Sequence, residues 1–212
     1  MRMHENAIYA AYRDAPLSRR LLVAARPLIC PFEPVIAAIP EGSRVLDVGC
    51  GVGSLLVQLG LLGRIQYGTG CDISSSSIAV ARDAARHVES ARLDFLQISS
   101  HADIPTEPVD VVCMVDVMHH IPAGIREEFL AACASRLRPG GRFVYKDMNE
   151  RPRLSAAVNT LHDLVLARQL IRHEPIENVV AWAAACGLRS VDYSSYRKLL
   201  YAHELAIFEK QQ

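Results

Sequence analysis

Two acids, three closely spaced glycines and a pair of histidines are the residues of this sequence best placed for chemistry. Asp47 sits in a short apolar run, Val45-Leu46-Asp47-Val48, and glycines follow at 49, 51 and 53. The carboxyl end of a strand borders the crevice where an open α/β sheet holds its ligand. Glycines there let backbone approach a ligand that side chains would hold away. Asp72 ends a second run, 67–72, 19 residues beyond Gly53, and a carboxylate in that place can accept both hydroxyls of a ribose. His119 and His120 follow a third run, 109–117. An imidazole, with an ordinary pKa of about 6.5, takes a proton from a phenol or hydroxyl near neutral pH, or holds the group in line. Each feature has a plainer alternative: the glycines as a turn without a ligand, the histidines as residues that cap and pack a helix start. No third ligand stands at a recognisable spacing beside the histidines, so no metal site is expected.

The elements that must position these residues follow from periodicity. Residues 44–48 read as a buried strand and 55–62 as a helix that starts near Ser54 and ends at Gly60 and Gly63. Residues 67–72 form the second strand, and Ser74 offers an N-cap for a helix running to residue 87. Residues 92–98 alternate like a third strand, 109–115 form the fourth, 124–137 have the helical period, and a fifth strand follows Pro139-Gly140-Gly141. Upstream, 5–14 and 17–26 read as helical pieces separated by Pro16, with Tyr9 and Tyr12 on one face. Pro27, Pro31 and Pro34 punctuate the approach to a helix over 32–39, and Pro40-Glu41-Gly42 is a turn. Downstream come a periodic helix over 154–173, a helix over 176–186 stopped by Gly187, and terminal strands over 188–196 and 199–208. Lys146 reads as a surface lysine paired with Asp147, with orientation of an anionic substrate as the alternative.

Asp47-x-Gly49-x-Gly51-x-Gly53 resembles motif I of the class I S-adenosyl-L-methionine (AdoMet) methyltransferases. The glycines stand at every second position, unlike the dinucleotide fingerprint, whose last two glycines are separated by two residues. Two further stretches strengthen the resemblance: Val109-Asp110-Val111-Val112 leading to Met118-His119-His120-Ile121-Pro122, and Leu137-Arg138-Pro139-Gly140-Gly141 before the fifth strand. It covers roughly residues 40–208 and implies a Rossmann-like α/β fold: seven strands, mostly parallel, helices on both faces and an antiparallel terminal strand. It also implies a single domain: an N-terminal helical lid (1–39), an AdoMet-binding core (40–150), a helical insertion over the acceptor pocket (151–175), and a terminal helix and hairpin (176–212). Asp47 and the backbone of Gly49, Cys50, Gly51 and Gly53 are then expected at the methionine tail, Asp72 at the ribose, Ile73 with Ile98 and Ser99 at the adenine, and Val115 beside the methionine. Asp116 to His120 would face the sulfonium, with His120, or else His119, touching the acceptor. The family's Gly-Asp pair after the third strand is replaced here by Ile98 and Ser99, with Asp103 as a substitute if the loop folds back. The reaction implied is methyl transfer to a small molecule, free or carried on a protein, with S-adenosyl-L-homocysteine as product and oxygen as the favoured acceptor atom.

Composition narrows the partners. The 212 residues suit one domain, and 23 basic residues balance 23 acidic ones, so no global field favours nucleic acid or an anionic membrane. Six scattered cysteines without a Cys-x-x-Cys pair fit a cytoplasmic protein with reduced thiols. No apolar run is long enough for a membrane span, and no signal-peptide core stands near the start. Six basic residues between 136 and 153 form a local positive cluster that suits a carrier protein, an acidic substrate or plain solvation. Oligomeric state stays open. Two rivals remain at this point: a nicotinamide oxidoreductase, and an AdoMet-binding accessory subunit without turnover.

Overall fold

The order of the strands sets where a ligand can sit. The computed structural model describes residues 2–30, 32–148, 173–198 and 201–212. Its strands are β1 (Ser43–Val48), β2 (Ile65–Asp72), β3 (Arg92–Gln97), β4 (Val109–Val115), β5 (Leu137–Met148), β6 (Leu188–Lys198) and β7 (Tyr201–Lys210). They form one sheet in the order β3-β2-β1-β4-β5-β7-β6. The chain winds outward from β1 through β2 to β3, then returns to β1's other edge with β4, so the strand order reverses between β1 and β4. Such a switch point opens a crevice at the carboxyl ends of the strands. Asp47 lies there, in register with Gly70 on one side and Cys113 on the other. β1 to β5 are parallel, whereas β7 runs antiparallel to both β5 and β6.

Strands buried on both faces explain the near-continuous apolar runs. Val45, Val111, Cys113 and Val144 turn to one core with α3 (Glu33–Ala38), α4 (Ser54–Leu61) and α5 (Ser75–Ala85). Leu46, Val112, Met114, Phe143 and Tyr145 turn to the other, beneath α6 (Arg126–Ala134) and α7 (Ile176–Ala185). A third cluster joins Ala11 of α1 (Arg2–Ala11), Tyr12 just beyond it and Val23 of α2 (Leu17–Ile29) to Val52 and Val57. This is the α/β, Rossmann-like fold expected, with the antiparallel terminal strands in place.

Three local readings change. α2 continues through Pro27, which therefore stands inside the helix, and the helix ends two residues later. The helix after Ser74 stops at Ala85, two residues short of the expected end. Gly60 lies within α4, where a Cβ would come 2.6 Å from Val88, so the residue serves close packing and Gly63 makes the stop. The helix expected over 154–173, and with it most of the insertion at 151–175, lies outside the described residues. Among those described, no helix is long and apolar enough to cross a membrane.

Candidate active site

The loop after β1 is glycine-rich because its path demands it. Gly49 and Gly53 take φ of 75° and 77°, in the left-handed region. A Cβ on Gly49 would stand 2.4 Å from Val117, and one on Gly53 2.7 Å from the Phe95 ring. Gly49 and Cys50 both donate to the Cys71 carbonyl, at 2.8 and 3.1 Å, which ties the loop to the end of β2. Asp72 then closes the arrangement: its carboxylate accepts from Gly51 N at 2.9 Å and Ser74 N at 2.8 Å. Ser74 caps α5 as expected, its hydroxyl accepting from Ser77 N at 3.2 Å.

Asp47, Gly49, Cys50, Gly51, Asp72, Val115 and His120 border one cavity of about 220 Å³ at the strand ends. Asp47 is 3% exposed and makes no hydrogen bond among the described residues. Burial pushes its carboxyl up to about 7, with the Arg26 charge opposing and the Asp72 charge adding. The roof is one face of α2: Arg19, Leu22, Val23 and Arg26, at helical spacing, together with Phe32. Arg26 lies over the Phe32 ring at 5.2 Å, and its buried Nε finds no hydrogen-bond partner among the described residues. Tyr12 fixes α1 to the glycine loop by donating to the Val52 carbonyl at 2.9 Å, whereas Tyr9 is exposed.

The far wall is built where β4 ends. Asp116 takes φ of 57°, the one non-glycine residue with positive φ among those described. Its backbone N–H donates to the Lys146 carbonyl at 2.8 Å, and Lys146 Nζ donates to its Oδ1 at 2.7 Å. Arg26 Nη2 stands 3.5 Å from Oδ2. Burial alone would raise the Asp116 carboxyl, but the Lys146 and Arg26 charges outweigh it and hold the group below the usual carboxylate range. Lys146 is fully buried, and its amine also lies 2.9 Å from Cys30 Sγ. The expected surface pair of Lys146 with Asp147 is therefore wrong. Adjacent strand residues point to opposite faces, so Lys146 turns to the cavity side and Asp147 to the other. There Asp147 meets His119: it accepts from His119 N at 3.3 Å and Met148 N at 2.7 Å, and its Oδ1 pairs with His119 Nδ1. His119 is buried, with its ring centroid 4.1 Å from that of exposed His120.

The remaining expected site residues lie off the cavity wall. Gly53 is the N-cap of α4, Ile73 is exposed, Ile98 packs into the core, and Ser99 N–H donates to Asp103 Oδ2 at 2.9 Å. Asp103 is engaged with its own loop, since it also accepts from Ser100 N. Arg19, Arg26 and Ser77 line the cavity without having been picked out from sequence; for the arginines the signal was the 19, 22, 23, 26 spacing. No group of three or more metal-ligating side chains is found among the described residues. A larger groove, about 590 Å³, lies on the sheet face over Leu46, Tyr67 and Thr69. It is away from the strand ends, and its charges are spent internally, as in Arg92 with Asp94 at 3.1 Å and Arg82 donating to the Phe95 carbonyl.

Residues 46–143 match the family model described as "Methyltransferase domain". Just under half of the chain is thus similar to that domain family. One relative, the ubiquinone biosynthesis O-methyltransferase of Nitrosococcus oceani, is 34% identical over 114 residues, which are 53% of this chain and 46% of that protein. The chain thus spans about half the length of the curated relatives it matches. Among solved structures, the magnesium protoporphyrin IX methyltransferase of Synechocystis, with bound S-adenosylhomocysteine, superposes with a TM-score of 0.68 at 19% identity, covering 84% of this chain and 81% of that one. A putative methyltransferase of Haloferax volcanii, in complex with an activator protein, superposes at 0.69 and 18% identity, with 98% of each chain covered. These two likenesses speak for the fold.

Proposed function

We propose that the protein transfers a methyl group from AdoMet to an oxygen of a small-molecule acceptor, leaving S-adenosyl-L-homocysteine. The observation that carries this is Asp47: a buried carboxylate that makes no hydrogen bond among the described residues, beside a glycine loop and opposite an arginine whose Nε finds no partner among them. A zwitterionic amino-acid tail fits that pair, with its ammonium at Asp47 and its carboxylate at Arg26. Asp72, held by two backbone N–H groups, keeps lone pairs for both ribose hydroxyls. Ile73, with Ile98 and Ser99, is left for the adenine edge, and Val115 for the methionine chain. Once bound, the cofactor supplies a methyl group on a sulfonium, already a good leaving centre.

The chain's own work is then positioning. His120, on the cavity wall, receives the proton of the acceptor hydroxyl, and His119, anchored on Asp147, packs against its ring. α1 and α2 serve as a lid, and the insertion at 151–175 as the roof that selects the acceptor, free or carrier-bound. Oxygen as the acceptor atom is supported by the relatives' name. Calorimetry should show micromolar-range uptake of AdoMet with NAD inert, and cell extract incubated with methyl-labelled AdoMet should yield a labelled small molecule. Absence of both AdoMet and S-adenosylhomocysteine binding refutes the reading. Binding without labelled product in any extract leaves only the accessory-subunit role.

A further inference from the structure

Three acids border the cavity, and two of them have work that substrate and product share. Asp47 faces the amino-acid tail and Asp72 the ribose in the reading above, and both groups are the same before and after methyl transfer. The cofactor forms differ at the sulfur, which carries a positive charge only while methylated. Asp116 is the acid left over. It follows Val115 directly at the carboxyl end of β4, on the same wall as His120, where the acceptor has to meet the methyl group.

Its surroundings are costly to build and hold the carboxylate in one orientation. The backbone is held at positive φ in a residue that is not glycine, a conformation that persists only where the surroundings over-determine it. A fully buried lysine on the neighbouring strand is committed to one of its oxygens. The Cys30 thiol also hydrogen-bonds the carboxylate, and Arg26 stands 3.5 Å from its second oxygen, a long contact from the roof. An asparagine would satisfy the same backbone without the need for a buried counter-cation. The arrangement preserves a carboxylate charge, fixed in direction, at the edge of the cavity.

We infer that Asp116 reads the charge of the sulfonium, so that the site holds AdoMet more tightly than S-adenosylhomocysteine. This rests on the proposed function. It gives the site a way to let product go: one attraction disappears when the sulfur becomes neutral, while the contacts to tail and ribose remain.

The test is calorimetric and needs no acceptor. AdoMet, S-adenosylhomocysteine and sinefungin, in which an amine replaces the sulfonium, are titrated into the wild type and Asp116→Asn. Asparagine tolerates the left-handed backbone. The variant should lose roughly tenfold in affinity for the two cationic ligands and keep that for the neutral product. Because Asp116→Asn strands the Lys146 cation, the double variant Asp116→Asn with Lys146→Met is measured beside it, and the same selective loss is expected. Equal losses for all three ligands in the double variant, or no change for any, overturn the assignment of Asp116 while leaving the cofactor site standing. If the wild type binds none of the three, the proposed function falls, and this inference with it.

Discussion

The two walls of the cavity are built on opposite plans. On the β1 and β2 side, side chains are few, backbone does the shaping, and the acids are left available: Asp47 has no hydrogen-bond partner among the described residues, and Asp72 meets only N–H groups of adjoining loops. On the β4 and β5 side the charged groups are committed to one another, Lys146 and Arg26 to Asp116, and, on the face behind that wall, His119 to Asp147. The first wall leaves its acids open to a ligand, while the second holds its charged groups rigidly in place. An invariant cofactor suits the former, and holding a reacting group in line suits the latter.

The comparison breaks most readily at Lys146. Lys146→Met leaves the Asp116 carboxylate buried beside Arg26 alone, and losing one partner of a buried pair costs about 3–5 kcal/mol. Urea unfolding should show that loss, and Asp116→Asn added to it should restore most of the stability. Additive losses would mean the pair is not coupled. On the other wall, Asp72→Ala removes the acceptor for Gly51 N and Ser74 N as well as the ribose contact. AdoMet affinity should fall on the order of 100-fold by calorimetry, at 1–3 kcal/mol for each group left unsatisfied. Near wild-type binding would dissolve the idea of Asp72 as the hinge of that wall.

Asp47 gives a sign that the far wall cannot. Its folded value, about 7, lies above its ordinary 3.8, so between those values the folded chain keeps a proton that the unfolded chain has released. The stability due to neutral Asp47 is complete below about pH 4 and is lost as pH rises through 7. Thermal melts of ligand-free Asp47→Asn should therefore match the wild type near pH 4 and lie higher at pH 8, by up to roughly 4 kcal/mol at 1.36 kcal/mol per pKa unit. The substitution should weaken AdoMet binding at the same time. The smallest change is Tyr12→Phe, which removes the hydrogen bond to the Val52 carbonyl and costs about 1 kcal/mol. Tyr9→Phe, on the exposed neighbour, should leave the melting temperature unmoved.

What could be read from the chain beforehand follows the same division. The β1 wall is local: Gly49, Gly51 and Gly53 fall within one turn of backbone, and Asp72 and Ser74 are two residues apart. Strand period, glycine spacing and capping chemistry therefore point to it directly. The β5 wall joins distant residues: Cys30 to Lys146, Arg26 to Asp116, His119 to Asp147. Lys146 and Asp147, neighbours in the chain, invited a pairing that the alternation of a strand forbids. Of the two histidines the sequence favours His120 for the acceptor, and the fold turns His119 inward and leaves His120 on the wall.

The amino-acid sequence by itself determined the alternation of buried strands with helices, the glycine loop between β1 and α4, and the acids that close β1 and β2, because each depends on side-chain period or backbone freedom over a few residues. Tertiary structure alone decided which histidine borders the cavity, that Arg26 of α2 roofs it, and that Lys146 is buried as the counter-charge of Asp116. Those outcomes depend on which faces of separate elements meet, and that is settled only when the sheet is assembled and the N-terminal helices pack across its carboxyl edge.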